Sequence, residues 1–253
     1  MNALALLTLN PKAEQINFYK QINRANYDLY CFVDDNATEN IIDDFVNYIH
    51  IDDFFCKRNG YHKFNPVIKK TGMPRVSAWD KAILYFSKLN RSYKNVWFVE
   101  EDVFVPDINL FDTIDRLFPD DDLLSSKNII NTTGELESWA WWKSAALSGF
   151  PLPWARSMVC AMRASNRLLK TVDQHVAANK DSQKFIEYIF HTLALHNSLS
   201  VKEVESLSGI VWRNDWAVET LNSETLYHPV KSISQQTEFR RFLRAVKQEV
   251  SEK

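Results

Sequence analysis

Short apolar runs alternate with amphipathic patterns through the first half of the chain. The apolar runs end in polar or acidic residues, which is typical of buried strands, and we predict strands over residues 4–9, 28–33, 54–56 and 96–99. Apolar residues at three- and four-residue spacing predict helices over residues 16–25 and 38–50 and from Ser77 onward. Strands that alternate with helices indicate an α/β fold with an open, mostly parallel central sheet flanked by helices.

The second half has a less regular pattern. We predict a strand over residues 123–126, helices over 161–177 and 183–194, and a last strand that includes Leu226 and Tyr227. With no repeat or obvious linker, we interpret residues 1–235 as one domain with an elaborated C-terminal half. Its halves are about 1–125 and 126–235, and a basic amphipathic helix follows over 236–253.

Composition narrows the class of protein. The 253 residues are 45% hydrophobic, which supports a sizeable core and excludes wholesale disorder. A formal net charge of -2 gives no bulk attraction to nucleic acid, so we expect no nucleic-acid partner. The 3 cysteines are widely spaced among apolar neighbours, which argues against a disulfide framework and favours a reducing, cytoplasmic compartment.

The start of the chain reads as a strand rather than a signal peptide. Residues 1–7 lack a basic flank and a convincing cleavage site. No apolar run approaches the roughly 20 residues that a membrane-spanning helix needs. We therefore expect a soluble protein.

Three consecutive acids, Glu100, Glu101 and Asp102, end the strand over residues 96–99. Burying unpaired carboxylates is costly, so acids at a strand end usually lie at a mouth, where they are paired or bind metal. Asp34 and Asp35 end the second strand, and the carboxyl ends of parallel strands meet at one edge of a sheet. Two acidic strand ends favour a bound cation, whereas the alternative is that these acids cap helices or pair with Lys or Arg.

In these acidic strand ends, the chain resembles the nucleotide-sugar-dependent glycosyltransferases of the GT-A (Rossmann-like) fold. Their acidic Asp-x-Asp signature binds Mn²⁺ or Mg²⁺, which bridges the diphosphate of the sugar donor. The resemblance implies that Glu100-Glu101-Asp102 is this signature, with Glu100 in place of its first Asp. It also implies that His228, late in the chain, joins Glu100 and Asp102 on the metal; the alternative for His228 is a surface position in a turn.

The same resemblance implies a set of donor-binding residues. Asp34 and Asp35 match the acid near the base and ribose, and Thr8 and Asn10 would lie on the same rim. Arg75, Asp80 and Lys81 belong to the segment that closes over the donor, with Arg75 or Lys81 near phosphate; a solvated helix charge is the alternative for Lys81. The implied nucleotide-sugar-binding residues are Thr8, Asn10, Asp34, Asp35, Arg75, Asp80, Lys81 and Glu101.

Candidates for the acceptor side lie in the second half. Glu187 is flanked by apolar residues, and partial burial would raise its pKa, which suits a general base. In inverting members of the resembled family a helix-start acid has this role, which the resemblance implies for Glu187. Aromatic faces stack on sugar rings, so Trp139, Trp141 and Trp142 are acceptor-side candidates together with Arg163, although core packing is the alternative for the tryptophans.

The helix over 236–253 has Phe239, Phe242, Leu243 and Val246 on one face and Arg or Lys on much of the rest. Docking on its own domain is one interpretation. The functional alternative is peripheral contact with a membrane surface, which would suit a lipid-linked acceptor.

The resemblance leads us to expect a metal-dependent hexosyl- or pentosyltransferase. It would move a sugar from a nucleoside-diphosphate donor, UDP-linked in our hypothesis, to a glycan or lipid-linked acceptor. A nucleotidyltransferase or phosphohydrolase is one rival, but the chain shows no Gly-rich phosphate loop among its 5 glycines. The other rival is a catalytically silent carbohydrate-binding or scaffolding protein.

Overall fold

The structure, a computed structural model, describes residues 1–34, 43–65, 67–68, 74–180 and 184–251. The side chains at positions 67, 68, 74, 75 and 249–251 are outside this description. Asp35 and the side chain of Arg75, two of the predicted donor-binding groups, therefore lie outside the described part of the chain.

Thirteen strands occur in the described residues. They are β1 (Asn2–Thr8), β2 (Tyr27–Val33), β3 (Asn47–Ile49), β4 (Val67–Ile68), β5 (Pro74–Arg75), β6 (Asn95–Glu100), β7 (Leu123–Ser125), β8 (Ile129–Asn131), β9 (Trp154–Arg156), β10 (Ala161–Ser165), β11 (Val201–Glu203), β12 (Gly209–Ile210) and β13 (Tyr227–His228).

Eight α-helices accompany them in the same residues. They are α1 (Ala13–Tyr19), α2 (Asp53–Arg58), α3 (Ala78–Leu84), α4 (Leu110–Leu117), α5 (Trp142–Leu147), α6 (Asn166–Ala178), α7 (Ile186–His196) and α8 (Ile233–Ser251). A π-helical turn, Tyr85–Leu89, continues α3, and the segments Glu205–Leu207 and Val218–Thr220 are 3₁₀-helical.

A seven-stranded sheet in the order β11-β7-β10-β6-β1-β2-β3 forms the centre of the molecule. β1 pairs in parallel with β2 and β6, whereas β10 runs antiparallel to β6 and β7. The predicted open, mostly parallel sheet with flanking helices is confirmed. The parallel strands β1, β2 and β6 bring their carboxyl ends to one edge.

Alternate side chains of the central strands enter two separate apolar clusters. Leu7 and Phe98 join one cluster, and Leu4, Leu6 and Trp97 join the other. Because successive side chains of a strand point to opposite faces, the sheet is buried on both faces in its middle. This burial leaves the strand ends as the place where polar side chains of the sheet can reach solvent.

Three sequence predictions are wrong at the level of elements. Residues 54–56 belong to helix α2, whose first turn is capped by Asp52, an acceptor for the backbone N–H groups of Phe54 and Phe55. Residues 47–49, predicted as helical, form β3. Residues 161–165, also predicted as helical, form the fully buried strand β10. Periodicity alone cannot distinguish a strand from a buried helix segment in a short apolar run.

Helix α4 is fixed to the sheet through Asp115. Its carboxylate accepts hydrogen bonds from Asn2 (2.7 Å), Trp97 (3.1 Å) and Tyr27. It also forms an ion pair with the buried Arg163 (2.8 Å). These donors belong to β1, β6, β2 and β10, so one acid on a helix connects four strands.

Helix α8 docks on the domain by one side. Phe239 packs with Phe104 and Tyr227 in a third apolar cluster, and the buried Arg240 lies 3.8 Å from the ring centroid of Phe18. Phe242 and Val246, in the second half of the helix, remain 40% and 42% exposed. Within the described part of the chain, none of the helices has the length and apolarity that crossing a membrane requires.

Candidate active site

Four carboxylates meet at the carboxyl ends of β2 and β6, and we call Asp34, Glu100, Glu101 and Asp102 the acidic rim. They line a cleft of about 180 Å³. Thr8, at the end of β1, lines the same cleft. The structure therefore brings together these five residues that the sequence analysis proposed.

Glu101 is held at the end of β1. The hydroxyl of Thr8 donates to its carboxylate, and so does the backbone N–H of Leu9, at 3.2 Å. The backbone N–H of Asn10 in turn donates to the Thr8 hydroxyl at 3.1 Å. Asn10 is exposed at the rim, but its side chain is not part of the cleft lining.

Asp34 is held by the start of helix α3. Its carboxylate accepts a hydrogen bond from the backbone N–H of Ala78, the first residue of that helix. Ser77 caps the helix in a reciprocal capping box with Asp80, as the sequence predicts for a helix that begins at Ser77. The helix start therefore positions an acid of the rim.

The expected donor contact of Asp80 is corrected by the structure. Asp80 is fully buried and accepts hydrogen bonds from the backbone N–H groups of Phe64 (2.9 Å) and Ser77 (2.8 Å). Burial raises its pKa to about 6 despite these hydrogen bonds. Asp80 is thus a structural group of the capping box rather than a group that faces a ligand.

The expectation for Lys81 also needs correction. Its ammonium group is fully buried and donates to the backbone oxygens of Val33 (3.1 Å) and Asp34 (2.9 Å). It also lies 3.6 Å from the carboxylate of Asp53. Lys81 does not line the cleft and does not lie on a solvated helix face; it fixes the end of β2.

Three different metal-binding side chains converge next to the acidic rim. One ligand atom each from Glu100, Cys160 and His228 lie within 4.8 Å of one another. Nε2 of His228 lies 3.4 Å from Asp102, and its Nδ1 faces the Val211 carbonyl oxygen at 2.6 Å. With Nδ1 as the donor to that carbonyl, Nε2 presents its lone pair to the cluster. We call the side chains of Glu100, Asp102, Cys160 and His228 the donor cluster.

The charges of the donor cluster favour a cation. Burial raises the pKa of Glu100, and the nearby Asp102 raises it further. Burial alone would lower the pKa of His228, but its hydrogen bond and charge interaction with Asp102 outweigh burial and raise it. Carboxylate and imidazole groups are ligands for divalent ions, so the donor set fits the metal that the resemblance implies.

Glu187 lies in the first turn of α7 and lines a cavity of about 950 Å³. Trp139, Trp141 and Trp212 line the same space, which we call the tryptophan cavity. Burial raises the pKa of Glu187 to about 7, with Arg156 opposing this rise. Val211 also lines this cavity, and its carbonyl oxygen lies 2.6 Å from Nδ1 of His228, so the cavity adjoins the donor cluster.

Two acceptor-side expectations are corrected. Trp142 is only 1% exposed and packs against Trp154 in the core, as the alternative interpretation holds. Arg163 is fully buried in its ion pair with Asp115 and also donates to the backbone oxygens of Phe118 and Asp121, each at 2.7 Å. Neither side chain reaches the tryptophan cavity.

The sequence analysis did not identify Cys160, Arg156 or Trp212 as site residues. Cys160 reaches Glu100 because β10 pairs with β6, and the backbone N–H of Glu100 donates to the Cys160 carbonyl at 2.8 Å. Arg156 stacks over Trp139, with 4.5 Å from its guanidinium carbon to the ring centroid. Each position depends on long-range pairing, for which the local pattern carries no signal.

No protein-family model matches the sequence, and no curated protein matches it. Solved structures of glycosyltransferases do resemble the fold. The galactosyltransferase LgtC, solved with donor and acceptor sugar analogues, is 12% identical over 96% of each chain with a TM-score of 0.49. An active-site mutant of LgtC is 12% identical, and the similarity covers 94% of this chain and 95% of that chain with a TM-score of 0.48.

Mouse xyloside xylosyltransferase 1 in its apo form is 11% identical, over 81% of this chain and 85% of that chain, with a TM-score of 0.38. The similar structures are thus of the kind that the sequence resemblance names. Because these TM-scores lie below 0.5, we base the function on the geometry of this chain's own residues.

Proposed function

We propose that this chain is a metal-dependent glycosyltransferase of the hexosyl- or pentosyltransferase type. It transfers a sugar from a nucleoside-diphosphate donor, UDP-linked, to a glycan or lipid-linked acceptor. The observation that supports the proposal is that a cluster of potential metal ligands adjoins both an acidic cleft and a tryptophan-lined cavity with a carboxyl group of raised pKa.

The donor side comprises the cleft and the donor cluster. Asp34 orients the nucleoside at the end of β2, and Thr8 and Glu101 complete the wall next to it. Glu100, Asp102 and His228 hold Mn²⁺ or Mg²⁺. Such an ion, when bound, neutralises the charge that develops on the leaving nucleoside diphosphate.

The acceptor side is the tryptophan cavity. Trp139 and Trp141 offer aromatic faces to a sugar ring, and Glu187 takes the proton of the acceptor hydroxyl. For an inverting transfer, the case in which Glu187 is the base, that oxygen bonds to the anomeric carbon as the bond from this carbon to the diphosphate breaks. A carboxylate whose pKa is near 7 is suited to accept this proton at neutral pH.

We place the exposed second half of α8 at the surface of a membrane that supplies a lipid-linked acceptor. Arg241, Phe242, Arg244, Val246 and Lys247 are exposed in this half, so cationic and apolar side chains both reach solvent there. Surfaces of this composition bind anionic lipid through charge and shallow burial of apolar groups.

Calorimetric titration with UDP and GDP, with and without Mn²⁺, tests the proposed function. We expect metal-dependent binding of UDP that the Asp102→Ala variant loses, since Asp102 belongs to both the rim and the donor cluster. Asp120→Ala is the matched control, because the Asp120 side chain is 90% exposed and pairs with the exposed Lys94.

Two results would contradict the proposal. Binding of UDP by Asp102→Ala with unchanged metal dependence would remove the metal assignment. Absence of nucleotide binding by the parent protein under every condition would favour the silent carbohydrate-binding protein instead.

A further inference from the structure

The donor cluster contains a thiol, that of Cys160, in addition to the carboxylates at the end of β6. Cys160 is only 4% exposed, and its side chain is hydrogen-bonded to the carboxylate of Glu100. The β6–β10 pairing fixes its backbone beside Glu100. Its sulfur is thus directed at the same space as Glu100 and His228.

The position of Cys160 is unlike that of the other two cysteines. Cys56 is fully buried in one apolar cluster, and Cys31 is fully buried in the other, which also includes Cys160. Among the described residues, Cys160 is the one cysteine whose sulfur is grouped with ligand atoms of other metal-binding side chains, those of Glu100 and His228. A cation in this space would favour the thiolate form over the thiol.

Sulfur changes which ion the donor cluster prefers. Mg²⁺ takes oxygen ligands in octahedral geometry and retains several waters. Zn²⁺ is commonly bound by four ligands drawn from thiolate, imidazole and carboxylate groups. Soft thiolate ligands select such ions over Mg²⁺ and Mn²⁺, and for mixed donor sets the affinity rises from Mn²⁺ to Co²⁺.

We propose that the donor cluster is a thiophilic metal site, in which Cys160 ligates Zn²⁺ or Co²⁺ together with Glu100, Asp102 and His228. Ion binding releases the thiol proton to solvent, and no change of oxidation state is involved. This inference rests on the metal site of the proposed function, and it refines the identity of the ion from Mn²⁺ or Mg²⁺ to one that sulfur selects.

Absorption spectroscopy of the full chain during titration with Co²⁺ tests the inference without any activity measurement. We expect a near-ultraviolet thiolate-to-cobalt charge-transfer band and the intense visible bands of a tetrahedral ion. In Cys160→Ser the charge-transfer band disappears. The Kd for Co²⁺ rises more than about tenfold, since loss of even an outer-shell partner costs about 10–100-fold.

Cys56→Ser is the matched control, because it removes a buried thiol that lies outside the donor cluster. It should keep the charge-transfer band. Circular dichroism establishes that each variant is folded. The parent protein is itself decisive if Cys160→Ser does not fold, because a pale octahedral spectrum without the charge-transfer band would overturn the inference.

The outcomes separate this inference from the proposed function. Binding of UDP with Mg²⁺ or Mn²⁺ but no charge-transfer band with Co²⁺ would overturn the inference and leave the function standing. A charge-transfer band without nucleotide binding would support the inference and contradict the function. A parent protein that binds no Co²⁺ contradicts the inference.

Discussion

At the residue scale, Glu187 combines two features that suit its proposed role in proton transfer. It is 7% exposed, which accounts for its raised pKa, yet its side chain lines the tryptophan cavity. Ser157 donates its backbone N–H to the Glu187 carbonyl at 2.9 Å, which ties the start of α7 to the segment after β9. The backbone of Glu187 is therefore held at a fixed point of the cavity wall.

Replacement of Glu187 by Gln keeps the shape of this side chain and removes its proton-accepting group. We expect a fall in the transfer rate of about 10²–10⁴-fold, the usual contribution of a general base. In the parent protein the rate should rise with pH through about 7 and then level off, because the carboxylate must be deprotonated. Steady-state rates measured between about pH 5 and about pH 9 check both expectations.

Stability provides an independent reading of the same residue. The pKa of Glu187 is higher in the folded protein than its ordinary value of 4.5, so the folded state binds more protons between that value and about 7. Its contribution to the free energy of unfolding therefore decreases as pH rises through this window, and Glu187→Gln should lack this decrease. Glu205→Gln, on the same cavity, is the control. A full transfer rate in Glu187→Gln would remove Glu187 as the base.

At the scale of elements, the first half of α8 is docked on the domain and its second half is exposed. Phe239 and Arg240 are buried against the domain, whereas Arg241, Arg244 and Lys247 are exposed. Each cation near an anionic membrane contributes about 1 kcal/mol, so changing these three residues to Gln should weaken binding to anionic vesicles by about 100-fold. Cosedimentation with vesicles of phosphatidylserine and phosphatidylcholine measures this change.

A control of equal charge uses Lys57, Arg58 and Lys88, which are exposed on α2 and on the π-helical turn after α3. Their replacement by Gln should leave vesicle binding unchanged. Equal losses in the two triple variants would indicate a response to overall charge and contradict the assignment to α8. Absence of binding by the parent protein would do the same.

The sequence predicts elements best where the local pattern and the burial agree. The helix that begins at Ser77 and the strand that ends at Glu100 both follow this rule, and both are confirmed. β10 is different, because a strand buried on both faces has no alternation to distinguish it from a buried helix. For α2 the decisive interaction is a cap from Asp52, which outweighs the strand preference of Phe54 and Phe55.

For the whole molecule, the buried pair of Arg163 and Asp115 connects helix α4 to the central sheet. Removal of one partner leaves a buried charge without its counter-ion, which costs about 3–5 kcal/mol. We therefore expect Arg163→Met to lower the free energy of unfolding by about this amount in urea titrations.

The control for this prediction is an ion pair within helix α4. Arg116 is 73% exposed and pairs with Asp112 one turn away, so Arg116→Met should cost only about 0.3–0.5 kcal/mol. If the two variants lost equal stability, the buried pair would not be the main connection between α4 and the sheet.

The candidate site was predictable only in part from the sequence. The acids at the ends of β2 and β6 are visible because each interrupts an apolar run, and parallel strands bring such ends together. Cys160 carries no such signal, since its place beside Glu100 depends on an antiparallel register between distant segments. Arg163 and Lys81 were misassigned because a buried charge and a ligand-binding charge look alike in sequence.

The acidic rim is also held in place before any ligand arrives. Asp34 accepts from the backbone of Ala78, Glu100 from the Trp79 indole at 2.6 Å, and Glu101 from Thr8, while Asp102 faces His228. Immobilising a flexible side chain on binding costs about 0.5–1.5 kcal/mol, and here folding has already removed that freedom. For the proposed donor, we therefore expect the rim to be preorganised, with an association rate set by diffusion and charge rather than by rearrangement of its side chains.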